Sequence, residues 1–300
     1  MSFLPKKTSR PRRPSASARR PGRRVVTPFR ATAVLAFVVA SAALNPQWLD
    51  SVPGGWLGPL ETWLRHEAPP PAAVVSNGYA QTQFAECPHF FPEQRPPRVP
   101  AVPALRELCY SGFAILHNGQ TKTPVFVVER LNRQRLEEAK AVPRQDRFFA
   151  DARLPKAERA ELADYRGSGY SRGHMAPAAN MATPEAMAQS FSLANMVPQN
   201  QEHNGGAWAR VEEDTRHYVT RAAGDVYVFT GPVYQGRPET IGAGRVAVPT
   251  QLYKLVYDPS TGRSWVHWQD NAADARTTRP ISYDEFVRRT GLALLPSATP

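Results

Sequence analysis

The basic residues of this chain are distributed unevenly: the excess of positive charge lies in the N-terminal tail, and the rest of the chain has the balanced charge of a folded domain. Ten of the 37 Lys and Arg residues lie in residues 1–49, which contain none of the 26 Asp and Glu residues. The remaining chain is nearly balanced, with 27 basic and 26 acidic residues, so the formal net charge of +11 belongs mainly to the N-terminal tail. The net charge is therefore poor evidence for a general polyanion-binding domain, and any nucleic-acid contact requires a local arginine cluster.

Residues 1–49 have the composition of a leader. Residues 1–30 are basic and rich in Pro and Ser, and we expect no stable helix there. Residues 31–44 form an uncharged, mostly apolar run that is shorter than the roughly 20 residues of a membrane span, and Ala40-Ser41-Ala42 fits a signal-peptide cleavage site. The long basic region before this run leaves an uncleaved inner-membrane anchor open. We expect an exported bacterial protein that is periplasmic, secreted, or anchored through residues 31–44.

The folded domain is expected to begin after a linker. Residues 50–83 contain scattered prolines, glycines and tryptophans and the run Pro69-Pro70-Pro71, which is typical of a linker. Residues 84–300 then form the globular domain, and the chain is 42% hydrophobic, enough for a substantial core. Cys87 and Cys109 are the two cysteines. They could be buried free thiols in a reducing cytosol, but export favours a disulfide between them.

The hydrophobic patterns indicate strands and helices in an irregular order. Strands are predicted for residues 108–116, 125–128, 225–233, 251–257 and 264–269, the last two as a hairpin. Helices are predicted for residues 133–142, 156–165 and 204–221, and for segments that begin at Thr183 and Ser282. The strands come in antiparallel-type pairs with helices interspersed between them. This order predicts an α+β fold and excludes a doubly wound parallel sheet.

The segment from Tyr170 to Asn180 contains the clearest chemical pattern. Arg172 and His174 flank Gly173 in this segment. A histidine can accept a proton near neutral pH, and an arginine beside it suits a phosphate oxyanion. Glycine allows close approach of the backbone to a ligand, or a positive φ. Taken alone, the pattern is equally compatible with an exposed polar turn.

A second group of polar residues lies on one predicted helix. Asn204, Trp208, Glu212 and Arg216 follow one another at steps of four and should share one stripe. Such a stripe is commonly a solvated helix face with an ion pair. Beside the Arg–Gly–His segment, however, an amide oxygen and a carboxylate would suit a hard cation such as Mg²⁺. No His or Cys pair has the spacing of a zinc site.

Several ordered segments give the chain a family resemblance. These are Ser171–Pro177, Phe191–Gln199, Asn204–Trp208 and Val211-Glu212, with flanking matches at Pro124-Val125 and Phe229–Pro232. Together they resemble the DNA/RNA non-specific endonucleases, the ββα-metal group that includes mitochondrial endonuclease G. The resemblance extends from about Cys87 to Pro296 and implies a central antiparallel sheet flanked by helices.

The resemblance also implies roles for individual residues. His174 would be the general base, Asn204 the single direct metal ligand, and Glu212 the carboxylate that orients metal-bound water. Arg172 and Arg216 would lie near the scissile phosphate. Asn195 would support the active site.

The implied cofactor is Mg²⁺, with Mn²⁺ as an alternative, and the implied substrates are DNA and RNA, cleaved to 5′-phosphate products. A homodimer is compatible with the resemblance. Ser171 stands where the family motif has Asp. We therefore expect reduced activity, with a catalytically impaired nucleic-acid-binding module as the alternative.

Overall fold

The computed structural model describes residues 74–296, so the predicted leader and most of the predicted linker lie outside the described residues. Its strands are β1 (Val74–Ser76), β2 (Tyr79–Gln81), β3 (Arg98–Pro100), β4 (Leu105–Cys109), β5 (Ala114–Asn118), β6 (Thr123–Leu131), β7 (Ser171–His174), β8 (Met196–Gln199), β9 (Val226–Val233), β10 (Thr240–Ile241), β11 (Val246–Ala247), β12 (Gln251–Asp258) and β13 (Arg263–Asp270). Its α-helices are α1 (Arg133–Ala139), α2 (Leu162–Tyr165), α3 (Pro184–Ser190), α4 (Gln201–His203), α5 (Ala209–Val219) and α6 (Tyr283–Thr290).

A six-stranded antiparallel sheet in the order β13-β12-β9-β6-β5-β4 lies at the centre of the fold. Alternate residues of these strands supply two cores. One face carries Phe126, Phe229 and Tyr253, whereas the other carries Val127 and Leu252 beneath Trp208. This sheet, flanked by helices, confirms the predicted α+β class.

The predicted helix signals at Thr183 and Ser282 are present as N-caps. The Thr183 side chain accepts a hydrogen bond from the amide of Ala186, and Pro184 is the first residue of α3. The Ser282 hydroxyl accepts from the amide of Glu285, and α6 ends at Gly291 in a left-handed conformation.

Three local predictions differ from the structure. The single strand predicted for residues 108–116 is wrong, because the chain turns between Tyr110 and Phe113 and forms the β4–β5 hairpin. The helix predicted for residues 156–165 is broken into a 3₁₀ turn, Lys156–Glu158, and α2. The residues predicted as linker contain β1 and β2, which pair across Asn77-Gly78; both residues have positive φ, as a tight hairpin turn requires.

Residues 132–225 form the connection between the paired central strands β6 and β9. This connection carries the β7–β8 hairpin and the helices α1 to α5. All of the predicted site residues lie on it. The sheet therefore holds the two ends of the segment that bears the candidate chemistry.

Within residues 74–296, no helix has the length and apolar character that a membrane span requires. The apolar run at residues 31–44 lies outside this range and is not described.

Cys87 and Cys109 form a disulfide, with their Cα atoms 5.9 Å apart. The bridge joins the turn before Pro88 to the last residue of β4, and Cys87 is buried in the core.

Replacing both cysteines with alanine should lower the free energy of unfolding by about 3 kcal/mol, because the bridge closes a loop of the unfolded chain. Urea unfolding followed by circular dichroism would measure this change. Wild-type protein treated with a reductant is the control and should unfold at nearly the same urea concentration as the double variant. Equal midpoints for oxidised and reduced wild type would contradict the prediction.

Candidate active site

The β7–β8 hairpin fixes the Arg–Gly–His segment. Gly173 pairs with Val197 and His174 pairs with Met196. A Cβ atom at Gly173 would overlap the Gln199 side chain and lie 2.6 Å from its Cβ atom, so the segment requires glycine for close packing against this side chain. Gly173 is not among the described residues with positive φ. The glycine therefore serves hairpin packing, which the sequence did not indicate.

His174 lies between two aromatic rings. Its ring centroid is 5.0 Å from that of Phe191, in an edge-on arrangement, and 5.9 Å from that of Phe148. The pKa of His174 is lowered to about 3, first by burial and then by the charge of Arg144, while Asp146 opposes the change. The imidazole is therefore neutral at neutral pH, which is the state from which a general base acts. Its Nε2 atom is buried and has no hydrogen-bond partner within residues 74–296.

Arg172 projects from the same hairpin. Its guanidinium carbon lies 4.2 Å from the ring centroid of Phe148, and the residue is exposed. Phe148 thus packs against both Arg172 and His174. An exposed guanidinium beside a neutral imidazole can bind a phosphate oxygen while the imidazole accepts a proton.

Asn195 is fully buried just before β8. Its Oδ1 accepts from the amide of Ala176 at 2.9 Å, and its Nδ2 donates to the carbonyls of Ala176 and Ser190, also at 2.9 Å. The side chain therefore fixes the backbone that follows His174. This geometry suits the supporting role expected for Asn195.

The helix that carries the other candidates is not a regular α-helix. Between α4 and α5 the turn Asn204–Trp208 is π-helical. Helical structure begins at Gln201 and ends at Val219, close to the predicted range of 204–221. A π turn adds one residue to the helix and is frequent at functional sites. Trp208 is completely buried, whereas Asn204, Glu212 and Arg216 are half-buried, so the tryptophan belongs to the core.

Side-chain contacts join the hairpin to the start of this helix. Gln199, which packs on Gly173, has its Nε2 atom 3.2 Å from Nδ1 of His203. His203 directly precedes Asn204, and its Nε2 atom is 2.9 Å from Oε1 of Gln269. This buried chain of polar groups links the segment that bears His174 to the turn that bears Asn204.

Electrostatics relate His174 to Glu212. Burial raises the pKa of Glu212, and the charges of Lys254, Arg216 and Arg144 oppose the rise. Arg144 also lowers the pKa of His174, so both site residues lie within the field of the same arginine. Its guanidinium carbon is 5.2 Å from the ring centroid of Phe191. Arg144 and Phe148 were not singled out from the sequence, because they lie in a segment without periodicity.

The donor atoms at the helix suit a hard cation. The carboxamide of Asn204 makes no side-chain hydrogen bond within residues 74–296 and is partly exposed, and the Glu212 carboxylate lies two turns further along the stripe. No group of three or more His, Cys, Asp or Glu residues is arranged to hold a metal ion in the described part of the chain. A single amide oxygen fits Mg²⁺, which keeps several of its water ligands. Arg216 Nη1 is buried without a partner in this range, which suits a group that binds an anion.

Comparison with known proteins decides the family. The family model described as DNA/RNA non-specific endonuclease matches residues 98–296. The chain belongs to this family. The match confirms the resemblance that the ordered motifs indicated.

Relatives and a solved structure agree with this assignment. The mitochondrial nuclease EXOG of Xenopus laevis is 41% identical over 162 residues, which are 49% of this chain and 44% of that protein. The mitochondrial endonuclease G of Homo sapiens is 35% identical over 173 residues, which are 54% of this chain and 58% of that protein. The chain thus spans less than half the length of the EXOG protein.

A chain from the crystal structure of the EndoG/EndoGI complex, whose title refers to the mechanism of EndoG inhibition, superposes with a TM-score of 0.58 at 26% identity. The superposition covers 70% of this chain and 90% of that chain. The similarity supports the ββα-metal fold expected from the sequence.

Proposed function

We propose that this protein is a metal-dependent, sequence-non-specific endonuclease that hydrolyses phosphodiester bonds of DNA and RNA to 5′-phosphate products. The observation that carries the proposal is the neutral His174 held between Phe148 and Phe191, with the exposed Arg172 on the same hairpin. Membership in the endonuclease family supports the same reaction class.

In this mechanism His174 accepts a proton from the water whose oxygen bonds to phosphorus, and the bond from phosphorus to the 3′-oxygen breaks. Arg172 and Arg216 stabilise the negative charge that grows on the non-bridging oxygens. Asn204 would hold Mg²⁺, which when bound would supply positive charge near the departing 3′-oxygen. Glu212 would orient a water at this position, and that water would donate the proton that the 3′-oxygen takes up. Because these groups contact the phosphate, they read no base sequence and require no 2′-hydroxyl.

Purified protein should nick supercoiled plasmid and degrade single-stranded RNA in Mg²⁺. EDTA should stop both reactions, because it removes the metal ion whose positive charge stabilises the leaving oxygen. Excess Mg²⁺ should restore activity, and Mn²⁺ is the alternative ion to compare. Polynucleotide kinase should label the product ends only after phosphatase treatment, which identifies 5′-phosphates. Cleavage at an unchanged rate in EDTA would refute the metal-dependent mechanism.

A second candidate function follows from Ser171. This residue is half-buried at the start of β7, opposite Gln199, and stands where the family motif has Asp. Loss of that carboxylate could leave a protein that binds nucleic acid without cleaving it. The same assays separate the candidates, since such a protein would retain plasmid in a gel-shift experiment and show no metal-dependent nicking.

We also propose that the protein is exported. The acid-free leader and the apolar run at residues 31–44 support export. The disulfide between Cys87 and Cys109 supports an oxidising destination.

A further inference from the structure

Lys254 is a fully buried lysine in the middle of the central sheet. It lies on β12 with 1% of its surface exposed, and its Nζ donates a hydrogen bond of 2.7 Å to Oγ1 of Thr230 on β9. A buried ammonium group is costly unless nearby groups compensate its charge. Neither the motifs nor the proposed mechanism uses this residue.

The strand register places Lys254 beneath the helix of the candidate site. Lys254 pairs with Thr230, and Thr230 pairs with Val127 of β6, so the three side chains share one face of the sheet. Trp208 covers this face, and Lys254 Nζ lies 5.4 Å from the centroid of its ring. Trp208 comes one helical turn before Glu212 on the same stripe.

The charges of several elements act on Lys254. Those of Glu212 and Arg216 lie on α5 and that of Glu129 on β6, and His267 occupies the register position opposite Lys254 on β13. Burial lowers the pKa of Lys254, and Glu212 and then Glu129 oppose that change. Of the charges that oppose the burial of Glu212, Lys254 acts most strongly.

The two carboxylates differ in their other partners. Glu129 Oε1 accepts a hydrogen bond of 3.0 Å from Nδ2 of Asn180, and Arg135 contributes a further positive charge. Burial raises the pKa of Glu129 to about 7, so this group is partly protonated at neutral pH. Asn180 and Arg135 thus share the compensation of Glu129 with Lys254.

We infer that Lys254 is a positioning residue of the proposed nuclease site, whose ammonium group, held by Thr230 against Trp208, fixes the Glu212 carboxylate in place. The inference rests on the proposed function, because it concerns the efficiency of that reaction. Lys254 touches no substrate in this arrangement and acts only through Glu212.

The test compares Lys254→Met, Lys254→Arg and the double variant Lys254→Met/Glu129→Gln in the Mg²⁺-dependent plasmid assay. Lys254→Met should lower kcat by about 10- to 100-fold, as loss of an outer partner of a metal site does, and leave KM for DNA within about threefold. Lys254→Arg should recover part of kcat because it restores the charge. Glu129→Gln and the exposed Lys140→Met are controls that should keep the wild-type kcat.

The double variant shows whether Lys254 acts through Glu212 or through Glu129. It also provides a protein without Lys254 that should remain folded. It removes a buried carboxylate together with the buried ammonium group and so leaves fewer unpaired charges in the core, and it should stay folded even if Lys254→Met alone unfolds. A low kcat in the folded double variant supports the action on Glu212. A wild-type kcat there, or in Lys254→Met, would overturn the inference, since Lys254 would then serve only Glu129 or neither. An inactive wild-type protein would instead overturn the proposed function.

Discussion

Replacing His174 with alanine should lower kcat for plasmid nicking by about 100- to 10,000-fold, the range that a positioned general base contributes. The reason lies in the environment of the ring, which burial keeps neutral and which Phe148 and Phe191 hold in one orientation. DNA affinity should change little, because Arg172 and Arg216 remain. The measurement is initial nicking rate against DNA concentration, with binding followed separately by fluorescence anisotropy in EDTA.

His217→Ala provides the matched control. His217 is exposed near the end of α5, so its replacement removes an imidazole without touching the hairpin. It should nick plasmid at the wild-type rate. If His174→Ala also cleaved at that rate, the assignment of the general base to His174 would be wrong.

Replacing Asn204 with alanine should abolish the response of the enzyme to Mg²⁺ in the micromolar to millimolar range. The carboxamide is the single protein oxygen assigned to the ion, and Lewis-acid stabilisation of the leaving oxygen is worth several kcal/mol, so nicking should fall by at least about 100-fold. Asn204→Asp keeps an oxygen donor and should retain a metal response. Magnesium titrations of the nicking rate, together with calorimetric titrations without substrate, would measure both effects.

Glu202→Gln is the control for the metal experiment. Glu202 is an exposed carboxylate two positions before Asn204, where it could attract cations without binding them. Its replacement should leave the magnesium titration unchanged. If Glu202→Gln shifted the magnesium titration and Asn204→Ala left it unchanged, the ion would bind at Glu202 instead.

The sequence predicted the elements whose signals are local. β9 and the hairpin β12–β13 are present close to the predicted limits, and the capped helices α3 and α6 begin where predicted. The strand predicted for residues 125–128 is present within the longer β6. The single strand predicted for residues 108–116 was wrong because the short turn at Ser111-Gly112 joins two largely apolar arms that together resemble one strand. The π turn was missed because one added residue barely changes the spacing of side chains along a helix.

The residues of the candidate site also fall into two groups, those with a local sequence signal and those placed by tertiary packing. Arg172, His174 and Asn204 were singled out as candidates because their residue types and order carry chemical information. Phe148 and Lys254 were not found, because each acquires its position from tertiary packing. In the sequence, Lys254 is one polar residue within an otherwise mostly apolar strand. Only the pairing of β12 with β9, and of β9 with β6, places it below Trp208.

The connection of residues 132–225 between β6 and β9 has a consequence for folding kinetics. Val127 pairs with Thr230 only after the ends of this long segment meet, and closing such a loop delays native contacts relative to local hairpins. Hairpins such as β12–β13 can form early, but the segment with His174 and Asn204 stays unanchored until the two central strands pair. We therefore expect the proposed active site to form only with the completed sheet, and a partly folded chain to cleave no nucleic acid.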